Sequence, residues 1–417
     1  MKLSIPFVSH HFETKLEKVT FYSLLLFVLL LPFSKAFMSF CVFYFPLLLF
    51  LNFGIKGIWA RLKCIPAMLP FFLFIGYMSV TVLWTERFVQ ANGLLKLYFL
   101  LSLIPSLALL VKKEWLKPLV VAFLFSLSVS SALSMGHYLE WWQIRGQAQL
   151  NTSPFMNSIH YSVFMAVGAI STLYIMITLK RDRVKQFGLL ALSLLLIVTL
   201  FLSNGRTGQL SFLVALCFMI VMFFRGNMKL LWGLVFTVFI AAYGIYNGVP
   251  QFQKRIDTIF VDVQKMKQGV WNTSIGLRLS YWLLAKEIVL EHPLLGVGYG
   301  DYKLAVEEAL QKNDFGIEAK AKAFLITNDL HSQYLMVVVQ GGLIGLVLFV
   351  WFLIALYRLP IQNPVYKRLS LLLLSIYTIG CFPEPLLILL NPLTLFAFFV
   401  GLSMAVSSKL DQEKVLH

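Results

Sequence analysis

Charge is scarce in this 417-residue chain: only 13% of its residues are Asp, Glu, Lys or Arg. Soluble domains carry roughly 25%, so a soluble globular protein is excluded. Cysteine is equally scarce. Cys41, Cys64, Cys217 and Cys381 show no CxxC and no His/Cys zinc spacing, so neither a disulfide framework nor a zinc site is implied. The sequence has no internal repeat of fixed period, no heptad run and no low-complexity segment. Strands of alternating polarity are also missing, which rules out a transmembrane β-barrel.

Apolar sequence is abundant: 59% of the chain is hydrophobic. Runs of about 20 apolar residues recur, each long enough to cross a bilayer as a helix. The pattern predicts an all-α polytopic membrane protein with about twelve spans. They are expected near 20–34, 36–53, 66–83, 93–111, 118–136, 158–179, 186–204, 209–224, 230–247, 330–356, 369–386 and 387–406. One set of short loops carries Lys56, Arg61 and Lys63, then Lys112, Lys113 and Lys117, then Lys180, Arg181, Arg183 and Lys185. The opposite loops carry little beyond Lys35, Arg87, Arg145 and Arg206. Basic loops stay cytoplasmic, so both termini are expected inside. The net charge of +16 then reflects this bias and attraction to anionic lipid, not nucleic-acid binding.

One stretch breaks the apolar pattern. Residues 248–329 hold ten Lys/Arg and ten Asp/Glu, too many and too far apart for a simple connection between spans nine and ten. It is expected to form a folded cap on the outward face. Asn272-Thr273-Ser274 offers helix caps. In the helix that follows, Arg278 shares a face with Trp282, Ala285 and Val289, opposite Ser280, Glu287 and Glu291, so it is expected to point inward. Pro293 ends that helix, Gly296-Val-Gly-Tyr-Gly300 makes a flexible turn, and 301–312 reads as a second, polar helix.

Beside Arg278, four ionisable residues stand out, each with a bland reading beside a functional one. Arg206 sits in the short turn Asn204-Gly-Arg-Thr-Gly208 with no acid near it in sequence. Held at the membrane surface it needs a partner: an anionic headgroup or a diphosphate, or else a distant carboxylate such as Glu384. Arg145 is either a snorkelling arginine or part of the site. His331 opens the tenth span after Asn328-Asp329, and either packs there or works there. Glu384, between Pro383 and Pro385, is a functional candidate or a structural partner for an arginine.

Arg278-x3-Trp282, then His292-Pro-Leu-Leu-Gly-Val-Gly-Tyr-Gly300, then His331-x-x-Tyr334-Leu335 opening a glycine-containing span resembles the O-antigen ligase and polymerase family. The similarity runs over about residues 140–400 and is greatest to the lipid A-core:surface polymer ligases. It implies a GT-C-like transferase that moves glycan from undecaprenyl diphosphate to lipid A-core on the periplasmic face of the inner membrane. It implies donor-diphosphate binding by Arg206, Arg278 and Arg145, and a base role for His331 with Glu384 nearby. No cofactor or metal is implied, since no Asp-x-Asp pair occurs in an outward segment. Arginines can carry the diphosphate charge instead. Two departures are Ser332, where many members have Asn, and Gln340, where many have an acid. An O-antigen polymerase and a protein O-oligosaccharyltransferase share the pattern. A lipid-linked glycan flippase would explain the spans but not a histidine beside a folded cap; transporters place ionisable groups at the midplane.

The orientation is testable. Cysteine at Lys312 should react with an impermeant thiol reagent in intact spheroplasts, and cysteine at Arg183 should not; the reverse labelling would overturn the placement.

Overall fold

The computed structural model describes residues 12, 14–87, 93–144, 152–179 and 182–407, apart from scattered positions in 228–249 and Asp314. Among the described residues the regular structure is helical, with one isolated bridge between Ile361 and Ser407; within lipid only a helix satisfies every backbone group of one apolar segment. The bundle holds α1 (Lys15–Leu30), α2 (Lys35–Lys63), α3 (Met68–Val80), α4 (Leu94–Leu110), α5 (Leu116–Tyr138), α6 (Ser158–Thr178), α7 (Arg183–Leu202) and α8 (Arg206–Phe224). The cap holds α9 (Pro250–Lys267), α10 (Ser274–Glu291), α11 (Tyr302–Lys312) and α12 (Ala319–Thr327). The chain then returns to the bundle as α13 (Gln333–Tyr357), α14 (Pro364–Gly380) and α15 (Leu390–Ala405). Side-chain oxygens of Thr14, Ser34, Asn157, Asp182, Thr273, Ser332 and Asn363 cap seven of these helices.

Six helices among the described residues are long and apolar enough to cross a membrane, and three shorter ones are apolar. The protein is therefore an all-helical membrane protein. The expected ninth span, 230–247, falls largely outside the described residues. At the centre of the bundle lies α6, which packs on α5, α7, α8, α14 and α15. Its small side chains let neighbours close in. A Cβ at Gly168 would stand 2.5 Å from Leu127 Cδ1.

The cap has its own core, built on Tyr281, Leu284, Ile288, Val306, Leu310 and Leu325. Leu335, Met336 and Val339, in the first turns of α13, belong to the same cluster. In α10 the buried face carries Ser280, Tyr281, Leu284, Ala285 and Ile288, while Trp282 is exposed. Ser280, expected beside the acids, is buried and donates to the Gly276 carbonyl. Arg278 is half-buried, as expected, but the Trp282 side chain does not follow it inward. Residues 313–327, opaque in the sequence, contain α12.

The turn after Pro293 corrects a further expectation. It is not a free, flexible connection. The helix geometry of α13 breaks at Gly342 (φ +60°), roughly 14 Å along its length at 1.5 Å per residue. That break frees backbone groups which lipid cannot satisfy. The glycine-rich turn takes them up. Val297 N–H donates to the Val339 carbonyl (3.0 Å) and Gly298 N–H to the Gln340 carbonyl (3.0 Å). In return Leu343 N–H donates to the Pro293 carbonyl (2.9 Å) and Ile344 N–H to the Leu294 carbonyl (3.3 Å). The backbones approach too closely for side chains: a Cβ at Gly296 would lie 2.5 Å from Gly342 N, and one at Gly342 2.2 Å from Leu294 O. Gln340, in place of an acid, uses both ends of its amide. Its Oε1 accepts from Gly300 N–H (3.0 Å) and its Nε2 donates to the Met336 carbonyl (2.9 Å). Beyond the turn, Asp301 accepts from Arg87 N–H (3.0 Å), tying the cap to the segment after α3.

Gly296→Ala should therefore cost more than left-handed strain alone, which is about 1–3 kcal/mol. Gly269→Ala is the control: its φ is also positive, +81°, but nothing lies within 4 Å of its Cβ. Thermal melts in detergent should show a clearly larger loss for Gly296→Ala. Equal losses would mean that the turn can move aside.

Candidate active site

The site forms where the cap meets the bundle. Arg278 projects from the second turn of α10, whose first turn is capped by Thr273 accepting from Gly276 N–H (3.0 Å). His331 lies between α12 and α13 in a left-handed conformation, φ +45°, which a non-glycine residue adopts only at a cost. Ser332, directly after it, caps α13 by accepting from Leu335 N–H (3.4 Å), so the serine does the capping that asparagine could do. Glu384 sits in the Pro383–Pro385 turn joining α14 to α15.

Three of the five expected residues come together. Glu384 Oε1 accepts from Arg278 Nη2 at 3.1 Å, and Glu384 Oε2 stands 3.3 Å from His331 Nδ1. The carboxylate side chain is 4% exposed, against 32% for Arg278 and 28% for His331. Burying a carboxylate is tolerable only with such partners. An ionised carboxylate only accepts hydrogen bonds, so Nδ1 carries the imidazole proton and Nε2 is left to accept one.

The spacing of these groups is held by bonds between the two chain segments that carry them. Gln333 N–H donates to the Cys381 carbonyl (2.9 Å), and Gln333 Oε1 accepts from Leu387 N–H (3.0 Å). The imidazole plane is set by aromatic neighbours. Phe324 of α12 lies parallel to it, at 4° and 6.1 Å between centroids, and Tyr281 packs at 5.7 Å. Asp329, two residues earlier, accepts from Tyr302 Oη at 2.7 Å. Burial first, and the Asp329 charge second, push the Tyr302 phenol above its ordinary range, so it remains a donor.

Gln333, Phe324 and Tyr281 escape the sequence reading. Phe324 falls in the stretch that carried no pattern, and nothing local distinguishes a ring that packs on a catalytic-type histidine from one in a core. His160 escapes it too. It follows the cap of α6, with Nδ1 3.3 Å from Asn391 Oδ1.

The other two expected residues are placed differently. Arg206 is exposed at the first position of α8. None of the ion pairs among the described residues involves it, and Glu384 is taken by Arg278 and His331 instead. Its turn is nonetheless built for close approach. A Cβ at Gly205 would lie 2.4 Å from Ser158 O, and one at Gly208 2.2 Å from Ser162 C. Ser162 Oγ also accepts from Gly208 N–H at 3.1 Å. The neighbouring Thr207 packs near Gly380, at the end of α14 that leads to Glu384. Arg145 lies outside the described residues.

The bridge predicts a stability effect. Glu384→Ala leaves a half-buried guanidinium without its carboxylate and should destabilise the purified protein by about 1–3 kcal/mol. Glu384→Gln, which keeps the shape and one acceptor, should cost less, and Arg206→Ala should leave the melting temperature unchanged. A wild-type melting curve for Glu384→Ala would show that the bridge does not hold the cap.

A relative can be set beside this geometry. An uncharacterized protein of Haemophilus influenzae (strain ATCC 51907 / DSM 11121 / KW20 / Rd) is 27% identical over 203 residues, 46% of this chain and 49% of the relative. The match thus spans about half the length of that relative. Residues 191–350, the stretch that carries Arg206, Arg278 and His331, match the model of the O-antigen ligase family.

Proposed function

We propose that the protein is a membrane glycosyltransferase of the O-antigen ligase type. It moves a polysaccharide from undecaprenyl diphosphate to the lipid A-core oligosaccharide, at the periplasmic face of the inner membrane. A twelve-span, GT-C-like layout with cytoplasmic termini and a periplasmic cap over 248–329 is part of this reading. The observation that carries it is the Arg278–Glu384–His331 chain of hydrogen bonds at the junction of cap and bundle. The family match over residues 191–350 supports the reaction class.

In this mechanism the acceptor hydroxyl oxygen attacks the anomeric carbon of the donor sugar. The bond from that carbon to the diphosphate oxygen breaks, and its electron pair leaves with undecaprenyl diphosphate. His331 Nε2 takes the hydroxyl proton, and the imidazolium that forms is stabilised by Glu384 across the Nδ1–H bond. A single displacement inverts the anomeric centre. Arg206 and Arg278 answer the negative charge that grows on the leaving diphosphate. Planar guanidinium groups suit it because they stay charged and bind phosphate oxygens in pairs. Arg145 joins them in the same reading. The chemistry needs no cofactor. The ladder of a deletion strain separates the two nearest variants of the reaction: loss of all polymer on core marks a ligase, and a remaining single-repeat rung marks a polymerase.

His331→Ala should lower turnover about 10²–10⁴-fold, the usual contribution of a positioned base. Donor affinity should hold, because the arginines remain, while the melting temperature should drop with the loss of one Glu384 partner and of the ring beside Phe324 and Tyr281. Measuring all three on one purified variant separates a base from a packing histidine, and near wild-type transfer by the folded variant would place the base elsewhere.

A further inference from the structure

A cavity of about 460 Å3 opens at the N-terminal ends of α2 and α6 and in the turn before α8. Small-molecule sites measure roughly 300–1,000 Å3, so it is large enough for a sugar unit. Its lining is unlike the lipid-facing surface around it. Asn157 and Ser158 present an amide and a hydroxyl, Lys35 brings one positive charge, Phe155 offers one aromatic ring, and Pro154, Met156, Ser153 and Asn204 complete the wall. No acidic side chain stands among its described lining residues. Phe155 is steadied edge-on by Phe33, with 5.1 Å between centroids. Asn157 spends its Oδ1 on Ile159 N–H (2.9 Å) as the cap of α6, which leaves its amide N–H2 to meet another acceptor.

The cavity borders the turn that leads to Arg206. Asn204 stands two residues before Arg206. His160, three residues after Asn157 on α6, has Nδ1 3.3 Å from Asn391 Oδ1 of α15, the helix that follows the Glu384 turn. Amides and hydroxyls matched to one ring face are the groups that pair with sugar hydroxyls and a pyranose face. One ammonium is a point charge rather than a fork, enough for a single anionic substituent.

We propose that this cavity is a saccharide site and that it takes an acidic sugar, phosphorylated or carboxylated, in the glycan of one of the two substrates. Lys35 pairs with the acidic group, the Asn157 and Ser158 side chains take hydroxyls, and Phe155 covers a ring face. The identity of the glycan rests on the transferase reading; binding itself does not.

The test has two arms. In saturation-transfer NMR on the purified full chain, the probes are glucose 6-phosphate, glucose and inorganic phosphate. Glucose 6-phosphate should bind best. Lys35→Ala should weaken it roughly 10-fold, the low end for a charge-assisted hydrogen bond, without changing glucose, and Lys35→Arg should restore much of it. Glucose binding as well as its phosphate, or inorganic phosphate competing equally with it, overturns the proposal. In the transfer assay Lys35→Ala should raise one KM by a similar factor with kcat unchanged. A change in the acceptor KM assigns the sugar to the acceptor, a change in the donor KM assigns it to the donor, and no change in either overturns the proposal. If wild-type protein transfers no glycan yet binds the sugar phosphate through Lys35, the transferase reading fails and the saccharide site stands.

Discussion

A helix broken along its length must find partners for the backbone groups that it releases, because a buried unpaired group is costly. In α13 the break at Gly342 is answered by the Pro293–Gly298 segment of the cap. The cap's position follows from that exchange. Its core runs into the first turns of α13, and its second helix is thereby held over the bundle with Arg278 facing the α14–α15 turn. The exchange acts together with the Gln340–Gly300 and Asp301–Arg87 bonds and the shared apolar cluster that also join cap and bundle. The motif His292-Pro-Leu-Leu-Gly-Val-Gly-Tyr-Gly300 is thus a backbone device first. Its glycines are required where chains meet at distances that no Cβ permits.

The second constraint is electrostatic and depends on the first. Glu384 is the least exposed of the three charged groups at the junction, and it reaches one residue of the cap and one at the mouth of α13. A buried carboxylate with two such partners couples them: moving the cap would strip Arg278 from it, and moving α13 would strip His331. The same carboxylate selects the imidazole tautomer. Within the proposed reaction, stability and proton chemistry would meet in this one side chain.

Arg206 shows the opposite arrangement. Its turn packs tightly on α6, yet its side chain is exposed and takes part in none of the described ion pairs. Within the proposed reaction, an arginine fixed at its Cα and left open at its tip would meet an anion from outside the protein. Arg278 is pre-committed to Glu384. Within the proposed reaction the two would respond differently to a bound diphosphate, one by capture and one by sharing.

Much was legible in the sequence because local rules act strongly in lipid. Apolar runs must be helices, a charge-rich stretch of 82 residues cannot stay among them, and Pro293 must end the helix that precedes it. Arg206, Arg278, His331 and Glu384 stood out because charge and proline are conspicuous in apolar surroundings. What the sequence could not decide was pairing. Glu384 lies 53 residues from His331 and 106 from Arg278, and local periodicity says nothing about which of two arginines a distant carboxylate will meet. The glycine-rich turn looked loose for the same reason: its partner is a helix break more than forty residues on, visible only as one glycine among three. Phe324, Tyr281 and Gln333 gain their roles only where α10, α12 and α13 converge. Composition and hydropathy act residue by residue along the chain, so they determined the helices and the cap. Contacts between segments far apart in sequence depend on how those helices pack, so only the tertiary structure decided the site.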